Sequence, residues 1–250
     1  MIDIHCHLTF GEFDKLKDEV VEDSKKEMNF IVSCGLQMDS LQAIELHKKH
    51  PNFVYLTLGL HPEEIIELSD VECEKQIEFI RENKNEIVAV GEIGLDYFWV
   101  KDEKKNTRCE NFFKECLSLA EELNLPVVLH SRNAEERVFE IVSQTKIDKV
   151  VFHHYSGNMT LAKKIIEKGY YISLPTTLDR SKVLLKIAKN FPLGNLLTET
   201  DSPFNSPVKE ENNFPKNVKF TLQKIAEMRN ISFEKIDEII LQNAVEIFGI

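Results

Sequence analysis

The sequence predicts a (β/α)8 TIM-type barrel, on three observations. Eight short apolar, β-branched runs recur about every 30 residues. Amphipathic helical patterns separate them. Six of the eight runs carry His, Glu, Asp or Arg at their C-terminal ends, which a barrel gathers at one mouth. Strand count alone leaves a doubly wound open sheet as the alternative.

In order, the runs are IDIHCH (2–7), FIVSCGL (30–36), FVYLTLGLHP (53–62), IVAVGEIGL (87–95), PVVLHSR (126–132), KVVFHHYSG (149–157), YYISLPTT (170–177) and NLLTETDSP (195–203). Helical patterns between them cover 13–28, 40–50, 73–84, 109–124, 134–144, 160–169 and 181–191, and two more at 216–230 and 232–248 follow the last run. Asp39 or Ser40 is a plausible cap for the second helix, and Ser232, two residues before Glu234, for the last. Cys109 and Cys116, seven apart, share a helix face as small core residues.

With 250 residues, no Gly/Ser-rich linker and no shift in composition, the chain reads as a single domain spanning 1–250. Hydrophobic content of 42% and charged content of 29% are those of a soluble globular protein. There is no long apolar span and no basic-then-apolar leader, so no membrane association is expected and the expected compartment is the cytoplasm. Five scattered cysteines without a Cys-x-x-Cys argue against both a disulfide framework and a thiolate zinc cage. Neither Gly-x-Gly-x-x-Gly after the first strand nor Gly-x4-Gly-Lys-Ser/Thr occurs, so no nucleotide cofactor is expected. A net charge of −11 disfavours nucleic-acid binding by counterion release alone, unless bound cations supply local positive charge.

The strand ends hold the chemistry. Alternation places Asp3, His5 and His7 on one face of the first strand and Ile2, Ile4, Cys6 and Leu8 on the other. His61 closes the third run, Glu92 sits in the fourth, His130 and Arg132 end the fifth, His153 and His154 the sixth, Glu199 and Asp201 the eighth. Imidazoles with carboxylates suit divalent metals from zinc to manganese and magnesium. The donors exceed what one ion needs, so one or two ions per chain are expected, with a carboxylate bridging a pair. Glu92 follows four apolar residues, where a carboxylate must be paired or metal-bound. Glu199 shares a face with Asp201 and reads as an orienting partner. His61 either contacts substrate phosphate or merely closes a turn. His47 and His50, in and after a helix, read as solvated.

With DIHCHL, GLHP, VGEIGLDY, LHSR, HHYSG, ETDSP and QNAVEIF in register from end to end, the chain resembles the TatD-type metal-dependent deoxyribonucleases of the amidohydrolase superfamily. The resemblance implies a TIM-type barrel that hydrolyses phosphodiesters, often as a 3′-to-5′ exonuclease on single-stranded DNA. It implies His5, His7, Glu92, His130, His153 and Asp201 as metal ligands, with Glu92 in the bridging place that other superfamily branches give to a modified lysine. His153 is chosen over its neighbour His154 by motif register, which strand alternation supports. The sequence departs from the family after ETDSP. Where the family often has Arg-Gly-Lys-x-Asn-x-Pro, NSPVKEENNFP keeps Asn213 and Pro215 but carries acids in the basic part.

The expected chemistry is attack of a metal-activated water on phosphorus, with Asp201 and Glu92 as the catalytic carboxylates and His61 and Arg132 on substrate phosphate. DNA is the expected partner, Mg, Mn or Zn the expected metal, and a monomer or small homo-oligomer the expected state. Two alternatives are an ester or amide hydrolase on the same centre (an aminoacyl-tRNA ester or small cyclic amide) and a non-catalytic barrel used for binding.

Overall fold

Strands buried on both faces read as continuous apolar runs, because helices cover one side and the opposite wall the other. The computed structural model, which describes residues 1–11, 13–209 and 211–250, converts all eight runs into strands: β1 (Ile2–Cys6), β2 (Phe30–Gly35), β3 (Val54–Leu60), β4 (Ala89–Asp96), β5 (Val127–Arg132), β6 (Val150–Phe152), β7 (Tyr171–Pro175) and β8 (Leu196–Glu199). They form one parallel sheet in the order of the chain, β1 to β8. Sequential order excludes the doubly wound alternative, whose order reverses at a switch point. The sheet is a nearly closed barrel, its last seam bridged by His7 N–H donating to Ser202 O (2.7 Å) and Asp201 N–H to His5 O (2.9 Å).

The helices are α1 (Phe13–Ser24), α2 (Ser40–Lys49), α3 (Pro62–Glu67), α4 (Asp70–Glu82), α5 (Glu103–Leu123), α6 (Glu135–Val142), α7 (Met159–Glu167), α8 (Lys182–Asn190), α9 (Val218–Arg229) and α10 (Phe233–Phe248). No helix among the described residues is long and apolar enough to cross a membrane. Cys109 and Cys116 are buried on the inner face of α5.

Four details depart from the sequence reading. α3 was not expected, since six residues are too few to display a helical period. α5 begins at Glu103, six residues before the expected start, capped by Asp102 on the Lys105 N–H at 3.0 Å. Asp39 precedes α2 but does not cap it; its carboxylate accepts from Leu36 N–H and Thr9 Oγ1. Ser232, as expected, caps α10 on Lys235 N–H. His50 is buried rather than solvated, because Asp18 and Glu22 of α1 close over it at 3.3 and 3.6 Å.

Two glycines let the walls close around the site. A Cβ on Gly59 would lie 2.2 Å from the Glu92 carbonyl, so β4 can approach β3 there only without a side chain. Gly94 has φ +150°, and its Cβ would lie 2.0 Å from His130 O.

Candidate metal centre

Period-two alternation turns Asp3, His5 and His7 into the barrel and sends Ile2, Ile4 and Cys6 against the helices, all of them buried. His5 Nε2 and His7 Nε2 lie 3.2 Å apart. From Glu92 Oε2 they stand 3.5 and 3.8 Å, and from Asp201 Oδ1 3.8 and 3.4 Å. Donors about 2.1 Å from a shared tetrahedral or octahedral ion are themselves about 3.0–3.4 Å apart. The separations of 3.2–3.8 Å begin within that spacing and run slightly beyond it, and most are too long for strong hydrogen bonds. The donor set therefore fits a divalent cation.

Glu92 faces a second group with its other oxygen. His130 Nδ1 and His153 Nε2 lie 2.6 and 2.7 Å from Oε1, and His61 Nε2 lies 3.7 Å away. Burial opposes ionisation of Glu92, but His153, His61 and His130 outweigh it and hold its carboxyl well below the usual range. One buried carboxylate thus presents one oxygen to each of two imidazole groups.

Carboxylates behind the rings orient them. His130 Nε2 is 3.0 Å from Asp96 Oδ2, and this pairing with Asp96 and Glu92 overcomes burial to raise the imidazole pKa to about 9. His153 Nδ1 is 3.5 Å from Glu199 Oε1; burial opposes its charge, but Glu92 and Glu199 raise its pKa well above the ordinary value. Ser173 Oγ–H donates to the other Glu199 oxygen. Glu199 therefore stands where an orienting partner should. Sequence reasoning missed Asp96, which stands two pleats beyond Glu92 on the same strand face and reads as a turn residue before Tyr97. It also missed Asp3, which accepts from the His5 and Thr200 N–H groups at 3.1 and 3.0 Å and so ties β1 to the segment leading into Asp201.

Asp201 lies just past β8, with φ +57° and its Oδ2 accepting from Asn205 Nδ2 at 2.6 Å. Burial would raise its pKa, but His7 depresses it well below the ordinary value. Asn213 braces the segment from beneath, its buried amide reaching Thr200 O at 2.8 Å and Thr176 Oγ1 at 3.0 Å. Of the acids in the departing stretch, Glu211 is exposed and Glu210 lies outside the described residues.

His61 closes the turn into α3. Its Nδ1 accepts the Glu63 N–H at 3.2 Å, capping α3, which leaves the proton of the neutral ring on Nε2 facing the site. Burial and His130 push its pKa down to about 3. In this tautomer the ring donates from Nε2, while His61, Glu92 and His130 also bring one ligand atom each within 4.8 Å of one another, a spacing that could hold a cation. Arg132 is exposed at the mouth, its guanidinium 3.9 Å from the centroid of the Phe98 ring. His153 turns inward, its ring 4.2 Å from that of His5. His154 takes φ +41° and gives its backbone N–H to Ser173 Oγ, which turns it away. Cys34 also lies close to His5 and His7, but burial pushes its thiol up and its S–H points to Gly91 O at 3.5 Å.

A parallel barrel whose mouth gathers buried imidazoles around a shared carboxylate is a metallohydrolase architecture. The chain belongs to the TatD-related DNase family, whose model matches residues 2–249. It is a TatD-type metal-dependent hydrolase. It is 42% identical to the uncharacterised metal-dependent hydrolase MJ1582 of Methanocaldococcus jannaschii, over 99% of this chain and 96% of that one. To human deoxyribonuclease TATDN3 it is 31% identical, over 99% of this chain and 94% of that one. The crystal structure of the TatD homologue YJJV from Escherichia coli superposes with a TM-score of 0.91 at 26% identity, covering 100% and 98% of the two chains.

Proposed function

We propose that the protein is a metal-dependent deoxyribonuclease that removes nucleotides from the 3′ end of single-stranded DNA, with residues 1–250 working as one catalytic domain. The observation that carries this reading is the division of Glu92, Oε2 toward His5 and His7 and Oε1 toward His130 and His153. Glu92 would hold cations on both sides through these residues, once the short contacts to His130 and His153 give way to metal. The ligands are then His5, His7, Glu92, His130, His153 and Asp201, and the cations Mg, Mn or Zn. Similarity to a relative named deoxyribonuclease supports the choice of substrate.

Bound cations supply Lewis-acid activation of water and neutralise charge on the phosphoryl oxygens. The chain does the rest. Asp201, held ionised beside His7 and 15% open to the mouth, accepts the proton of the attacking water. His61 Nε2–H donates a hydrogen bond to a phosphoryl oxygen and keeps its proton, and Arg132 pairs with the next phosphate at the rim. Asp96 and Glu199 keep the His130 and His153 rings from rotating.

The test is to strip the protein of metal, restore Mg²⁺, Mn²⁺ or Zn²⁺ separately, and supply end-labelled single-stranded DNA. Stepwise shortening from the 3′ end, lost with chelator, is expected. Tight metal binding with intact DNA would reject the substrate and move the assignment to ester or amide hydrolysis.

A further inference from the structure

The rim of the barrel carries exposed aromatic rings that the chemistry above does not use. Phe10, Phe98, Trp99 and Phe204 are between 38% and 57% exposed. They form two pairs. Phe10 and Phe204 come from the loops after β1 and β8, with ring centroids 5.6 Å apart. Both also contact His7, at 6.4 and 6.1 Å between centroids. Phe98 and Trp99 follow β4, 4.7 Å apart and edge-to-face. Their backbone N–H groups both donate to Asp96 Oδ1 at 2.8 Å, while its other oxygen holds His130. Since the strands run in order around the barrel, the β8/β1 seam and β4 lie across the mouth from each other.

These rings are not scattered singly: one pair touches His7 and the other is fixed to Asp96, which holds His130. We infer that the two pairs are stacking platforms for the unpaired nucleobases on either side of the scissile phosphate. This rests on the nuclease reading and assigns the residues that would hold the bases of its single strand. A base has a π-face whatever its identity, so two platforms grip any sequence, whereas a duplex keeps its bases stacked on one another. Stacking also resolves the charge problem. A chain of net charge −11 has little counterion-driven affinity for a phosphate backbone, and aromatic rings bind bases without needing it. Arg132, lying on Phe98, adds a guanidinium plane to the same wall.

Trp99 is the only tryptophan in the chain, so its fluorescence reports stacking without any cleavage. The metal-loaded protein is titrated with a cleavage-resistant phosphorothioate thymidine oligomer and with an abasic oligomer of equal length and charge. The thymidine oligomer should quench Trp99 and the abasic one should not. Phe10→Ala with Phe204→Ala should weaken thymidine binding roughly ten- to a hundred-fold and leave abasic binding unchanged. Affinity should fall only gently with salt, as about one or two phosphate contacts imply. Equal binding of both oligomers, or unchanged binding in the double variant, overturns the platforms. Cleavage of ordinary DNA is assayed separately. Cleavage with no base-dependent quenching refutes the platforms and leaves the nuclease reading standing; base-dependent quenching without cleavage does the reverse.

Discussion

Asp96 and His130 are joined at 3.0 Å between Oδ2 and Nε2, and the other imidazole nitrogen lies 2.6 Å from Glu92. His130 is thus clamped between two carboxylates. Asp96→Asn keeps the shape but removes the charge that fixes the ring. It should weaken metal binding about 10- to 100-fold with the fold intact. Metal titration beside a circular dichroism spectrum checks this; unchanged affinity would make Asp96 only a brace for its loop.

Asp201→Asn removes the proton acceptor and one anionic metal ligand together while keeping the side-chain shape. The amide still fits beside Asn205 and His7 but cannot accept a proton. Turnover should drop on the order of 10²- to 10⁴-fold while thermal stability changes little. Steady-state kinetics on labelled DNA decide it, and a wild-type rate would remove Asp201 from the chemistry.

Protons and metal compete for the same nitrogens. In the metal-free protein His130 has a pKa of about 9, and His7 and His153 also lie above the ordinary value. Cations must displace these protons, so affinity should rise with pH up to about 9. Calorimetry at pH 7.5 in two buffers of different ionisation enthalpy should register net proton release on loading. A hundred-fold excess of metal over its Kd should also stabilise the fold by about 2.7 kcal/mol, and chelator should reverse it.

Glu64 carries a pH signature outside the ligands. Burial raises its pKa to about 7, against the pull of the His61 N–H that it caps at 3.2 Å. An acid whose folded pKa exceeds its unfolded one contributes stability below about pH 4.5 and loses it as pH climbs through 7, on the order of 3 kcal/mol. Glu64→Gln keeps the accepting oxygen and should flatten that part of the stability profile. Urea unfolding from pH 4 to 8, wild type beside variant, measures the difference; parallel profiles would exclude Glu64 as the source.

Most of the scaffold was legible in the sequence because parallel barrel strands, buried twice over, leave unbroken apolar runs such as IVAVGEIGL. That His5, His7, Glu92, His130, His153 and Asp201 meet at one mouth was legible because each stands at or near the C-terminal end of a run, and a barrel gathers those ends together. Asp96 was not, since its partner His130 is 34 residues away and only the β4–β5 pairing, which sets Gly94 opposite His130 and Asp96 opposite Arg132, brings the two side chains within reach. His50 was misread for the same reason, its covering acids lying on α1. α3 is set by the His61 cap and Pro62 rather than by any period, so pattern alone is blind to it.

Asn213 fastens the far end of the β8 loop to Thr200 and Thr176, while Asn205 fastens the near end to Asp201. Neither pin draws on a side chain from the residues between them. Natural drift, or an engineer, can therefore rewrite the charge of described positions between the pins, such as exposed Glu211, and retune which polymers the mouth attracts while Asp201 keeps both fastenings.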